Sequence, residues 1–454
     1  MKIRINNIGP VQEATIDLSK RLTVFCGPNN TGKTYISYLI YVLTKTILRS
    51  EIKIEEEQLS ELLLNGSLTI PLNYDEVVRL RAKAMDYASG QLAKIFGLAD
   101  SKVEQYFNDF KMKFVTSDEE HRVCIDQEEM TITTSNSDGL IIDVKKEKNG
   151  EKLTLILDTV KSVTKDEVRD FVNLGMFDGV YHFLSLLPIT QSYMFPVERV
   201  SIQTFHRQLS LKNEHVIGEV VNNSEKIAVV TRPVPARYPI AVKDSLEIAD
   251  NMTNIQNSKG SFADIADELE TTLLNGKLSI DESGEAEFRA DGMDNKPLPI
   301  QMTASVVKSL SSLVFFLRHQ ADINHLIIID EPELNLHPDS QILLARMFGK
   351  MIQRGLRLLI STHSDYIVRE LNNLIMLSAS PSEVMEEVDK YGYKADMLIS
   401  HNDVSAYLFL KNESGRVSMT PIEMTSEGFA VETIDSAILH QNASAQLIYH
   451  CMTE

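Results

Sequence analysis

Eight consecutive residues, Gly27-Pro28-Asn29-Asn30-Thr31-Gly32-Lys33-Thr34, combine two glycines, a lysine and a hydroxyl in an order suited to cradling a phosphate chain. The glycines let the backbone curl so that successive N–H groups face phosphate oxygens. Lys33 reaches the β and γ oxygens, and the Thr34 hydroxyl can ligate Mg²⁺. The flanks agree with this use. Thr23-Val24-Phe25-Cys26 reads as the end of a strand and Tyr35-Ile36-Ser37-Tyr38-Leu39-Ile40 as a helix, which is the setting a phosphate-binding P-loop requires.

A second chemical group lies far downstream. Leu326-Ile327-Ile328-Ile329-Asp330-Glu331 is a β-branched run, the mark of a buried strand, and it ends in two adjacent carboxylates. Buried carboxylates need a partner, and a nucleotide-bound Mg²⁺ supplies one. Asp330 would hold the metal through water, and Glu331, on the other side of the strand end, would orient or activate the attacking water.

The residues that follow narrow the class. Glu331-Pro332-Glu333-Leu334-Asn335-Leu336-His337-Pro338 precedes a helical stretch, and Leu356-Arg357-Leu358-Leu359-Ile360-Ser361-Thr362-His363-Ser364 reads as another buried strand ending in a histidine. This order resembles the heads of ABC-type ATPases. The resemblance implies that Asn335 lies in the D-loop and that His363 is the switch histidine contacting the γ-phosphate of ATP. It also leads one to expect a Ser-x-Gly element at an upstream helix start, gripping the γ-phosphate of a partner subunit's ATP. Here Met302-Thr303-Ala304-Ser305-Val306-Val307-Lys308 has Ser305 in place and Val306 where glycine is usual. Lys308, one turn on, could supply charge that this departure leaves out.

These groups need a scaffold. The expected fold is α/β, a P-loop NTPase of the ABC-type head, with a mixed sheet core, a small antiparallel β layer and an inserted α+β subdomain. The layer comes from Lys2-Ile3-Arg4-Ile5-Asn6 and Glu13-Ala14-Thr15-Ile16-Asp17-Leu18, joined by the turn Ile8-Gly9-Pro10. Residues 1–50 form the first part of the head, 51–188 the helical and β-meander insert, 189–378 the remainder of the head, and 379–454 its C-terminal α/β completion. Within the insert, strands are expected at 123–125, 139–144 and 153–157, with turns at 136–139 and 147–150. The insert is a candidate for partner binding. The head resumes at Tyr193-Met194-Phe195-Pro196-Val197-Glu198-Arg199, where Gln191, Glu198 and Gln203 all stand as candidates for the ATP-sensing position. A hairpin is expected around Ser283-Gly284. Neither interruption has the unbroken heptads of a long coiled-coil arm.

Composition sets limits. The chain has 454 residues, 43% of them hydrophobic, enough for one large or two medium cores. No apolar run approaches the ~20 residues that cross a bilayer, and Met1-Lys2-Ile3-Arg4-Ile5 reads as a strand, not a signal segment. A cytoplasmic location without membrane association is expected. Cys26, Cys124 and Cys451 match neither a disulfide framework nor a zinc spacing and are expected to be reduced and structural. A net charge of −19 argues against a general nucleic-acid coat. The least acidic stretches, 199–212 with Arg199, His206 and Arg207, and 232–243 with Arg237, read as solvated faces, with DNA contact left open. After His363 the chain has no Asp-x-Asp set for a TOPRIM nuclease metal site, and Glu386-Glu387-Val388-Asp389 reads as a solvated helical run.

Together the string 27–34, the Phe195-Pro196-Val197-Glu198-Arg199 element, the helix start at Ser305 and Ser361-Thr362-His363-Ser364-Asp365-Tyr366 resemble the stand-alone OLD/RecF-like ATPases of prokaryotic defence islands. Among these the chain is similar to the ATPase subunits of PARIS and Septu. The resemblance implies a Mg²⁺-dependent ATPase that forms a homodimer or higher homo-oligomer by sandwiching ATP, with Ser305 and the D-loop acting in trans. It further implies control of a separate nuclease effector of TOPRIM or HNH type in response to a phage protein. Two other functions would use the same head. A RecF-like repair and recombination ATPase would bind DNA in an ATP-dependent way without a toxic partner; a regulatory scaffold would bind ATP without hydrolysing it, as Val306 favours. A transporter motor fits less well, because the glycine-rich trans motif is missing.

Overall fold

The computed structural model describes residues 2–45, 54–71, 74–115, 140–150, 152–159, 165–172, 191–206, 238–292 and 296–453, with shorter stretches at 117, 119, 122–123, 129–135 and 189. Its centre is a nine-stranded mixed sheet in the order β5-β1-β2-β16-β15-β3-β14-β13-β9. The strands are β1 (Lys2–Ile8), β2 (Val11–Asp17), β3 (Leu22–Cys26), β5 (Lys111–Phe114), β9 (Ser192–Phe195), β13 (Leu326–Asp330), β14 (Arg357–Thr362), β15 (Val404–Lys411) and β16 (Val417–Ile422). The run β15-β3-β14-β13-β9 is parallel throughout. Parallel strands covered on both faces need apolar side chains at consecutive positions, which is what β3, β13 and β14 provide.

Alternation along those strands divides the interior in two. Leu22, Val24, Ile327, Ile329, Leu358 and Ile360 face one core, and Phe25, Ile328 and Leu359 face the other. Helix α1 (Lys33–Lys45), launched from the P-loop, covers the second face. Helices α8 (Ser305–His319), α9 (Pro338–Gln353) and α10 (Asp365–Ala379) cover the first. The fold class is α/β as expected, with a mixed sheet core and smaller antiparallel sheets.

The N-terminal hairpin β1-β2 is antiparallel as expected, and β16, parallel to β2, joins it edge-on to the main sheet. The connection exists because residues 404–422 return to the middle of the sheet: β15 pairs directly with the P-loop strand β3. Two smaller antiparallel sheets stand apart. One is β10 (Gly276–Ile280), β11 (Ala286–Ala290) and β12 (Leu298–Pro299), containing the hairpin at Ser283 and Gly284; the other is β4 (Ser67–Pro71), β8 (Lys152–Thr159), β7 (Leu140–Lys146) and β6 (Met130–Ser135).

Several local expectations need correction. Val123 is helical, and the remainder of the strand expected at 123–125 lies outside the described residues, as do the turn at 136–139 and Cys124. The C-terminal helix runs from Glu432 to Thr453. It carries the exposed Cys451, so that thiol is not packed into a core, whereas Cys26 is buried on β3 and burial pushes its thiol up to about 12. No helix among the described residues is long and apolar enough to cross a membrane.

Candidate active site

The C-terminal ends of β3, β13 and β14 converge at one edge of the parallel sheet, the edge at which α/β proteins bind ligands. From β3 the chain enters the P-loop. Gly27, at φ 134°, could not carry a side chain, since a Cβ there would lie 2.4 Å from the Phe409 carbonyl oxygen of β15. Gly32, at φ 87°, lets the loop turn into α1 beneath Val11 and Pro10. Between them Pro28, Asn29 and Asn30 are exposed, while Thr31 is buried and donates to the Pro28 carbonyl at 2.8 Å. The buried Lys33 ammonium donates to the carbonyls of Gly27 and Pro28, each at 2.9 Å. Burial lowers its pKa, and Asp330 and Glu331 oppose that shift.

Thr34, the first residue past Lys33 on α1, donates its hydroxyl to Asp330 Oδ2 at 2.7 Å. Ser361 of the intervening strand β14 donates to Asp330 Oδ1. The buried aspartate is thereby aimed at the hydroxyl beside the phosphate loop. A hydroxyl and a carboxylate are hard oxygen donors, the pair that suits Mg²⁺ completed by phosphate and water. Among the described residues no three His, Cys, Asp or Glu side chains form a metal-holding group.

Glu331 leaves β13 at φ 48°, a left-handed conformation unusual for a residue other than glycine, and its N–H is held by the Ser361 carbonyl at 3.0 Å. Burial, then the neighbouring Asp330, raises the Glu331 pKa. His363 Nε2 lies 3.8 Å from Glu331 Oε1. Burial, then the Lys33 charge, depresses His363 to about 4, while a hydrogen bond to the Gly27 backbone opposes the shift. The imidazole is therefore neutral near pH 7 and can share a hydrogen bond with a phosphate or an attacking water.

The remaining candidates lie at the rim. Ser305 is exposed at the first turn of α8, whose cap residue Ala304 offers no side-chain hydrogen bond to the helix end. Val306 packs against the core beneath that helix start, which accounts for its bulk where glycine is usual. Lys308 donates to the Gln301 carbonyl at 2.8 Å, so in this arrangement its charge is tied to the preceding turn. Asn335 is exposed at φ 63° in the loop between β13 and α9.

Strand direction separates the three candidates for the sensing position. Gln191 precedes β9 at the end of the sheet opposite the P-loop, and Gln203 is buried in the following helix. Glu198 follows β9 on the near side, is exposed, and interacts electrostatically with Glu331 and Arg199.

Arg199 and His206 correct the reading of their stretch as a solvated, potentially DNA-facing surface: both are buried, at 4% and 6% exposure. Arg199 donates to the carbonyls of Asp330 at 2.8 Å, Glu331 at 2.6 Å and Pro196 at 3.2 Å, and to the Ser309 hydroxyl of α8 at 3.1 Å. It braces the backbone of both carboxylates from behind. Residues 207–237, including Arg207 and Arg237, lie outside the described residues. Ser361, Ser309 and Glu333 are further site residues missed in the sequence; the available clue was a set of polar side chains at the ends of otherwise apolar runs.

The family AAA_15, described as an AAA ATPase domain, matches residues 1–368. No curated protein matches the chain. Solved structures similar to it include the "SMC head domain from Thermotoga maritima", at 10% identity over 93% of this chain and 98% of that one, TM-score 0.31. A second is the SMC head bound to the C-terminal winged-helix domain of ScpA, at 11% identity over 93% and 97%, TM-score 0.34. A third is the Smc head domain with an extended coiled coil from Pyrococcus furiosus bound to the C-terminal domain of ScpA, at 13% identity over 97% and 98%, TM-score 0.33.

Proposed function

This chain belongs to the AAA ATPase domain family AAA_15, and from that premise we propose that it binds ATP–Mg²⁺ at the P-loop and hydrolyses it between two associated copies. The observation that carries the reading is the 2.7 Å contact between Thr34 and Asp330, with Glu331 and His363 3.8 Å apart beside it. Gly27, Pro28, Asn29, Asn30, Thr31, Gly32 and Lys33 enclose the phosphates, Thr34 and Asp330 hold Mg²⁺, and Glu331 with His363 orients the attacking water. When bound, the metal neutralises developing charge on the phosphates. Ser305, Lys308 and Asn335 belong to the surface offered to the second copy; the exposure of Ser305 and Asn335 supports that assignment. Because catalysis draws on two copies, the ATP-bound dimer is a switch that hydrolysis resets.

The wider role we propose is control of a separate TOPRIM- or HNH-type nuclease in anti-phage defence, triggered by a phage protein. Its support is the similarity of the 27–34, 195–199 and 361–366 strings to defence ATPases. Glu331→Gln tests the catalytic reading: ATP binding persists, phosphate release falls about 100-fold or more, and ATP-bound dimers accumulate in light scattering. Equal turnover in the variant and wild type would remove Glu331 from the mechanism. Lys33→Ala should lose nucleotide binding itself. Co-purification with the product of the neighbouring gene, with and without ATP, tests the effector: a complex holding a latent nuclease supports the defence role, and a lone ATPase that binds DNA replaces it with repair.

A further inference from the structure

Glu333 stands two residues beyond Glu331, in the loop that also carries Asn335. Its side chain turns inward. Glu333 Oε1 accepts the backbone N–H of His363 at 2.6 Å and the Thr362 hydroxyl at 3.0 Å. Thr362 Oγ1 in turn accepts the Ser364 N–H at 3.0 Å, and the Ser364 hydroxyl caps α10 by accepting the Ile367 N–H at 3.1 Å. One carboxylate oxygen thus organises the turn that aims His363.

The other end of the same loop faces outward. Two consecutive backbone turns, Leu334 N–H to the Glu331 carbonyl at 3.1 Å and Leu336 N–H to the Glu333 carbonyl at 3.0 Å, stiffen residues 331–336. Pro332 restricts them further. The Leu334 carbonyl also accepts from Ser309 of α8, the helix that begins at Ser305, at 3.3 Å. Asn335 and α8 are therefore linked through this hydrogen-bonded loop to Glu333, and through Glu333 to the His363 turn.

We propose that Glu333 is a positioning residue that couples the outward-facing Asn335 loop to His363, so that docking of a second copy sets the histidine for hydrolysis. The proposal rests on the ATPase reading above and deepens it by naming how association reaches the catalytic group. Glutamine at this position keeps an acceptor oxygen for both donors, whereas alanine keeps none.

The test is steady-state turnover and ATP affinity for wild type, Glu333→Ala, Glu333→Gln, His363→Ala and the Glu333→Ala/His363→Ala double variant. Expected are a fall in kcat of at least about 10-fold in Glu333→Ala with ATP affinity within about 3-fold, and recovery to within about 3-fold of wild type in Glu333→Gln. The double variant should be no slower than His363→Ala alone, because both changes remove one unit. Unchanged turnover in Glu333→Ala, additive losses in the double variant, or Glu333→Gln as slow as Glu333→Ala each overturns the proposal. A wild type that never hydrolyses ATP overturns the ATPase reading and this proposal together, an outcome distinct from an active wild type matched by Glu333→Ala.

Discussion

The Thr34 hydroxyl and the Asp330 carboxylate, 296 positions apart in the chain, meet at 2.7 Å. The strand that leads to Thr34, β3, does not pair with the strand of Asp330: β14 lies between β3 and β13, and its Ser361 holds the other oxygen of Asp330. The contact depends on a residue stepping over from α1 to a strand end two places away, with the intervening strand orienting the acceptor.

Removal of the hydroxyl should therefore separate metal from nucleotide. Thr34→Val is expected to lower ATP affinity by about 10-fold in the presence of Mg²⁺ and to leave binding without Mg²⁺ nearly unchanged, since a Mg²⁺ held by few protein groups loses one ligand. Calorimetric titration with and without chelator measures both. A loss equal in the two conditions would place Thr34 on the phosphates, not on the metal.

Gly27→Ala should be among the most damaging small changes. The added methyl would meet the Phe409 carbonyl oxygen at 2.4 Å, and alanine tolerates φ 134° poorly. Strain of about 1–3 kcal/mol from the backbone alone, plus displacement of β15 or the P-loop, is the expected cost. Urea unfolding and ATP binding should both weaken; an unshifted urea midpoint would contradict the close approach.

Arg199 donates hydrogen bonds to Pro196, Ser309, Asp330 and Glu331. Arg199→Ala removes the donor to the buried Asp330 carbonyl, at about 1–3 kcal/mol, and leaves the Glu331 carbonyl with the Leu334 N–H alone. Arg199→Lys restores at most part of the set, because an ammonium cannot span the guanidinium fork. Both variants should also slow turnover, and the order of stability, wild type above Lys above Ala, is read by denaturant titration.

Acid should destabilise the protein through two histidines. His325 and His363 are depressed from 6.5 to about 4, burial being the main cause for each. Between those values the unfolded chain binds protons that the native state does not, so stability falls as pH drops through that window. The urea midpoint is expected to decline from pH 7 to pH 5, and less steeply in His325→Gln. An identical decline in that variant would assign the effect to other groups.

Local chemistry was legible in order along the chain. The P-loop could be read because its glycines, lysine and threonine are consecutive, and β13 because isoleucines on both faces of a parallel strand form an unbroken run. Gln191, Glu198 and Gln203 could not be told apart, since their places relative to the P-loop turn on the direction of β9 relative to β13. Arg199 was misread for a related reason: charge read by position alone suggests a solvated face, yet burial is permitted once backbone carbonyls surround the guanidinium.

By itself the sequence determined what is local: a phosphate loop between strand and helix, a strand ending in two carboxylates, a histidine after the next strand, and an α/β chain able to hold them. Only the tertiary structure decided what is shared between distant segments. It seated β15 against the P-loop strand, brought Asp330 to Thr34, placed Arg199 behind both carboxylates and tied Glu333 to His363. The physical reason is that hydrogen bonds and burial depend on distance in space, and strand order, which sets those distances, is chosen by packing of whole faces.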